Sequence, residues 1–257
     1  MRKPFRFSAF AQHTGSSRTL VAVVLLALLA AFSLHLFPTG RTSPAAPTAQ
    51  AARESPLRTV ATRHRELALT FDISWGEVMP PKILTILERE RVPATFFLSG
   101  PWAKTHPGIV ARIVRDGFQV ESHGQQHVDF SKLSAGGVAE NITQAGDILK
   151  SLTGKSPTFI RPPNGDYNRQ SLQVAASLGY TTVIWGSDSL DWMNPGVGVI
   201  TNRVLTKAHP GDIILLHASD TCKQTDLALP AIIAGLRKDG YHLVTLNELL
   251  RHASNNP

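Results

Sequence analysis

A single cysteine, Cys222, stands in 257 residues, so no disulfide can form within the chain and the fold must be held by its core. Cys222 is read as an unpaired structural or surface thiol rather than a nucleophile. The first eighteen residues lack any acidic side chain, while Arg2, Lys3, Arg6 and Arg18 are basic. Residues 19–40 lack charge of either sign, with His35 their only ionisable group. No internal repeat is visible, which excludes a solenoid. From Leu67 onward the chain also lacks net charge, because 17 basic residues there are matched by 17 acidic ones. The formal charge of +7 therefore belongs to residues 1–66. Nucleic-acid binding, which needs a basic face on the folded part, is excluded on that account.

The apolar run at 20–37 is long enough to cross a bilayer core, and the basic residues before it put the N-terminus in the cytoplasm. A cleaved signal peptide is the competing reading, since Ala49-Gln50-Ala51 has the small-x-small form. That site lies well past the apolar run, so the run is read as an uncleaved anchor. The expected organisation is a cytoplasmic basic tail at 1–18, a transmembrane signal-anchor at 19–40, an extended stalk at 41–66 and a folded domain at 67–257. The stalk is rich in Pro, Ala, Ser, Thr and Arg, with little to bury. Its basic residues would favour anionic lipid or wall polymer.

Within the domain, short β-branched or apolar segments alternate with amphipathic ones. Strands are expected at 67–71, 94–98, 118–121, 158–160, 181–185, 212–216 and 242–246. Helices are expected at 80–90, 107–116, 134–152, 170–178, 197–208 and 227–238, with Ser134 and Asn168 as N-caps. This pattern predicts an α/β fold, a distorted (β/α) barrel of about seven parallel strands, with functional side chains gathered just after the strands.

They are. His123 and His127 follow the third strand, four residues apart, and neutral imidazole is the ligand first-row transition metals most often recruit. Asp72 follows the first strand, Arg161 the fourth, Asp188, Asp191 and Trp192 the fifth, and Leu215 and His217 lie at the end of the sixth. A network of ion pairs capping the barrel mouth is the alternative to a catalytic rim. Trp75 and Trp185 are read as packing. Asn141-Ile-Thr143 matches a glycosylation pattern but falls on a helix, so it is set aside.

In order, the stretches TFDI, HGQQH, RPPNG, DSLDW and LLH resemble the five motifs of the polysaccharide deacetylase family, also called the NodB-homology domain or carbohydrate esterase family four. The variant FDISWG, together with an anchor, looks most like the sporulation-associated branch. The resemblance covers roughly residues 67–250 and implies hydrolysis of an N-acetyl amide on a glycan. It makes Asp72 the general base, His217 the general acid, and His123 and His127 the metal ligands. Arg161 would tether Asp72, and Asp191 would orient His217. Leu215 would line the acetyl pocket, and Trp192 would supply a wall against the sugar. Zinc is the implied metal, with cobalt or nickel as alternatives, and the anchor makes peptidoglycan the expected substrate for a monomer at the membrane.

Two departures stand out. Ile73 occupies the place of the family's third metal ligand, an Asp, and Gly124 replaces a hydroxyl residue. Catalytic zinc usually has three protein ligands, and Asp72 would serve as the third only by sharing or losing its role as base. A catalytically weak or inactive glycan-binding relative is the alternative, and hydrolysis of another non-peptide amide on the same barrel is a third reading.

Overall fold

The computed structural model describes residues 55–254. The expected basic tail and signal-anchor, and the stalk as far as residue 54, lie outside the described residues. Within them, no helix is long and apolar enough to cross a membrane.

Eight strands alternate with helices: β1 (Glu66–Ile73), α1 (Met79–Glu90), β2 (Thr95–Leu98), α2 (Gly100–Thr105), α3 (Pro107–Arg115), β3 (Gln119–Ser122), α4 (Ala135–Thr153) and β4 (Phe159–Ile160) come first. There follow α5 (Arg169–Ser177), β5 (Thr181–Thr182), β6 (Ser187–Asp188), α6 (Val197–Lys207), β7 (Ile213–His217), α7 (Thr225–Lys238), β8 (His242–Leu243) and α8 (Leu246–Ser254). The hydrogen-bonded order is β5-β4-β3-β2-β1-β7-β6, with β8 beside the start of β1. Every strand pairing is parallel, as short strands joined by helices require. The path ends at β5 and β6, so the barrel is incomplete.

Strand β1 shows how sequence period becomes architecture. Leu67, Leu69, Phe71 and Ile73 point to one side, where they join Ile83, Leu84 and Leu87 of α1 in the main apolar cluster. Ala68, Thr70 and Asp72 alternate to the other side, as the two-residue period of a strand demands. Ile73 thus fills the layer between sheet and helices, facing away from Asp72.

The helix caps form where expected. Ser134 Oγ accepts the Gly137 N–H at 3.1 Å, and Asn168 and Ser171 form a reciprocal capping box. The expected strand at 181–185 is instead two, because the chain changes partners: Ile184 N–H donates to Leu57, whereas Gly186 N–H donates to Ile213 on β7. The last expected strand stops at Leu243, where Thr245 and Glu248 exchange hydrogen bonds and start α8. Helix α2, introduced by Gly100-Pro101, was missed by periodicity because it is only six residues long.

The expected stalk boundary at residue 66 also shifts. Leu57 and Val60 are buried, and Leu57 bridges to Val183 while Thr59 bridges to Asp212. Residues 57–60 therefore form a strap between the end of β5 and the start of β7. Two apolar side chains suffice to dock it, against Phe159, Val183 and Ile213 in a second cluster.

Candidate active site

Asp72, next to last in β1, Cα-pairs in register with His217 at the end of β7, so the strand ladder itself sets a carboxylate and an imidazole side by side. Both line a cavity of about 410 Å³, as do His123, His127, Leu215 and Trp192. Such a volume suits a small ligand.

Behind Asp72 lies Arg161, whose Nη1 donates to Asp72 Oδ1 at 2.7 Å. Its Nη2 donates to Thr70 Oγ1 at 2.9 Å and to the Ile184 carbonyl at 3.1 Å. The guanidinium is wholly buried, with its face 4.1 Å from the Phe97 ring centroid. Burial alone would raise the Asp72 pKa, but the charges of Arg161, His123 and His217 outweigh it and hold the carboxyl below its usual range. Only Oδ2 remains open, 3.7 Å from His123 Nε2.

His123 Nδ1 donates to the Arg161 carbonyl oxygen at 2.8 Å. That bond fixes the tautomer and leaves the Nε2 lone pair facing Asp72. Burial, only partly offset by the Asp72 charge, pushes the His123 pKa down to about 4, so the imidazole is neutral, the form a metal requires. His127 is half-buried, with its ring 5.4 Å from that of His123 and 4.6 Å from that of Trp75. Its pKa is also lowered, chiefly by burial.

On the opposite flank, His217 Nδ1 donates to Asp191 Oδ1 at 2.7 Å. Asp191 Oδ2 accepts the His217 backbone N–H and the Thr225 hydroxyl, both at 2.7 Å. Burial would depress the His217 pKa, but the Asp191 charge and hydrogen bond dominate and raise it. The shift favours the protonated imidazole, and its Nε2 is left free to donate.

The donor set fits a divalent cation. His123, His127 and the open Asp72 oxygen all line the cavity, and the His123–Asp72 spacing is close to that of two ligands on one ion. Ile73 contributes nothing, and the carboxylates that line the cavity are those of Asp72 and Asp188. Among the described residues, the three donors that lie within 4.8 Å of one another are instead those of Asp191, His217 and Cys222. That group is a hydrogen-bonded dyad beside a neutral thiol, since burial pushes Cys222 up to about 12 and both Asp191 oxygens are engaged.

Gly124 loses less than the family pattern suggests. Its N–H donates to Ser122 Oγ at 3.2 Å, and Asn141 holds the loop through Gln125 N–H at 2.6 Å and the Gln126 carbonyl at 3.1 Å. With φ of +79° and a built Cβ only 2.5 Å from Asn141 Oδ1, the position admits little but glycine. Asn141 is buried in this role, which removes it as a glycosylation site.

Sequence reasoning missed Thr70 and Thr225, which hold Arg161 and Asp191; threonine is too common to mark itself, although Thr70 stands within TFDI. It also took Trp75 and Trp185 for packing. Both line the cavity, and Trp75 is half-exposed.

Residues 59–183 match the family model described as polysaccharide deacetylase. The chain is 34% identical over 196 residues to a peptidoglycan-N-acetylglucosamine deacetylase of Bacillus cereus, covering 75% of this chain and 92% of that one. It is 33% identical to the uncharacterized protein YlxY of Bacillus subtilis over 72% of its own length, but spans only 57% of that relative. Among solved structures, the Bc1960 peptidoglycan N-acetylglucosamine deacetylase superimposes with a TM-score of 0.75 at 32% identity, covering 80% of this chain and 97% of the other. A CE4 family pseudoenzyme from Bacillus anthracis superimposes with a TM-score of 0.73 at 29% identity, covering 77% and 70%. A mutant of that pseudoenzyme is described as having restored enzymatic activity. The paired Asp72–Arg161 and His217–Asp191 units, the histidine pair and these likenesses together place the chain: it belongs to the polysaccharide deacetylase family.

Proposed function

We propose that the protein hydrolyses the N-acetyl amide of a cell-wall glycan, peptidoglycan, releasing acetate. The observation that carries this is the placement of an arginine-held carboxylate and an aspartate-held imidazole on paired strands at one cavity. His123 and His127 would hold a divalent cation, zinc first among candidates with cobalt or nickel as alternatives; Asp72 Oδ2 would complete the set only by giving up its role as base. Such a cation supplies polarisation of the amide carbonyl and acidification of the attacking water.

The chain's own residues do the rest. Asp72 accepts the proton of the attacking water through Oδ2 while Arg161 keeps Oδ1 and the carboxylate plane fixed. His217 delivers its Nε2 proton to the departing sugar nitrogen, so the amine leaves neutral. Asp191 and Thr225 hold the imidazole through that transfer. Leu215 lines the cavity as an apolar wall suited to the acetyl methyl, and Trp192 borders the sugar side. The apolar run at 20–37, read as an anchor, would hold this domain outside the cytoplasmic membrane beside its substrate.

Acetate release from peptidoglycan or N-acetylglucosamine oligomers, with zinc, cobalt or nickel supplied, tests this directly. Release with any of the three supports it; none with all three overturns it. A second reading, a glycan binder without catalysis, draws on Ile73 and on the pseudoenzyme relative. Glycan binding that survives both chelator and His123→Ala, without acetate release, would establish it instead.

A further inference from the structure

Trp75 and Trp192 are 50% and 51% exposed, the two most water-facing indoles among the described residues, and both line the active-site cavity. Large aromatic rings left in water around a cavity mark a binding surface rather than a core. They stand on different flanks. Trp192 follows Asp191, which holds His217, whereas the Trp75 ring packs 4.6 Å from His127.

The loop carrying Trp75 is fixed on both sides of it. Ser74 N–H donates to Ser219 Oγ at 3.0 Å, Asp220 N–H to the Trp75 carbonyl at 3.1 Å, and Trp102 Nε1 to the Gly76 carbonyl at 2.7 Å. Gly76 adopts φ of +79°, and the Asp220 carboxyl fills the space where a Cβ would sit. That carboxylate in turn accepts the N–H groups of Glu77 and Val78 at 3.0 Å and Met79 at 2.7 Å, tying the loop to the start of α1. Trp75 is thus an exposed ring on a rigid mount, which loses little freedom when a ligand covers it.

We propose that Trp75 is a specificity-determining residue, a second stacking platform that takes the apolar face of a sugar ring adjoining the one deacetylated, so that the site selects linked N-acetylhexosamines over single sugars. The inference rests on the deacetylase reading of the same cavity. A chain laid across the cavity meets Trp192 on the proton-donor flank and Trp75 on the histidine flank, whereas one ring reaches only one of them.

Steady-state acetate release by the full chain, using N-acetylglucosamine itself and its five-sugar oligomer, provides the test with Trp75→Ala, Trp75→Phe and the parent protein. An aromatic contact of this kind corresponds to roughly a two- to tenfold change in affinity. Trp75→Ala is expected to raise KM for the five-sugar substrate by that factor, more than for the single sugar, with kcat changing less than KM. Trp75→Phe should recover most of the loss, and quenching of tryptophan fluorescence by the five-sugar oligomer should weaken in Trp75→Ala. Equal effects at both lengths, or none, overturn the platform while leaving the deacetylase reading intact. Absence of acetate release and glycan binding in the parent protein overturns both.

Discussion

Asp72 has two carboxylate oxygens, and Arg161 occupies one of them. Everything asked of this residue, ligand or base, therefore falls on Oδ2. Arg161 is the more sensitive member of the pair, since removing it leaves a buried carboxylate without its partner. Arg161→Met is expected to lower stability by about 3–5 kcal/mol in urea unfolding, and to raise the Asp72 pKa so that the acid limb of kcat/KM moves up. The His217–Asp191 pair acts on the other limb. Because the folded His217 pKa is raised, the imidazolium persists to higher pH, and its contribution to stability is full below the unfolded value near 6.5 and lost as pH rises through the folded one. Asp191→Asn should bring the alkaline limb of the pH–rate profile down and reduce kcat by roughly 10²–10⁴. An alkaline limb that stays in place would remove His217 as the proton donor. These acid, base and histidine positions were legible because each is a rare residue type directly after a strand. Their threonine partners were not, since a hydroxyl takes its meaning only from what the fold brings to it.

At the scale of the element, the strap at 57–60 is where composition misled. Pro, Ala, Ser and Arg around it read as linker, yet Leu57 and Val60 are buried, and Leu57 accepts from Ile184 and donates to Thr182. A single extended segment of four residues carries too few alternations to register as a strand. Leu57→Ala is expected to lower stability by about 2 kcal/mol, the low end for a buried leucine because the strap lies at an edge. Chemical denaturation of the variant checks it, and an unchanged midpoint would mean the strap is dispensable. The long amphipathic helices and their caps were readable because many residues vote on a 3.6-residue period; α2 and the two halves of 181–188 were not, because two to six residues cannot.

For the molecule as a whole, the strand period decides what Ile73 means. The substitution removes a ligand, and the pleat also turns residue 73 toward the helices, into the cluster with Phe71 and Ile83. Ile73→Asp is expected to destabilise the domain by about 3 kcal/mol or more, through a carboxylate placed in an apolar layer. Unfolding with and without zinc discriminates: recovery by zinc would show that the strand end turns to bring residue 73 to the histidines. Metal content offers a parallel check, with His123→Ala expected to abolish stoichiometric zinc and Asp72→Asn to weaken it by at least tenfold. The family and the rim were readable from the ordered motifs, whereas the direction in which residue 73 points needed the fold.

The strap has one more consequence, and it is mechanical. Tension applied to the polypeptide upstream of Leu57 would enter the domain along the backbone hydrogen bonds to Thr182 and Ile184, then through Val60 to Gly211. The load would be shared by the ends of β5 and β7 before it reached the strand ladder that aligns Asp72 with His217. A domain pulled from upstream of Leu57 would yield first at this seam, by shear, with its acid and base still in register.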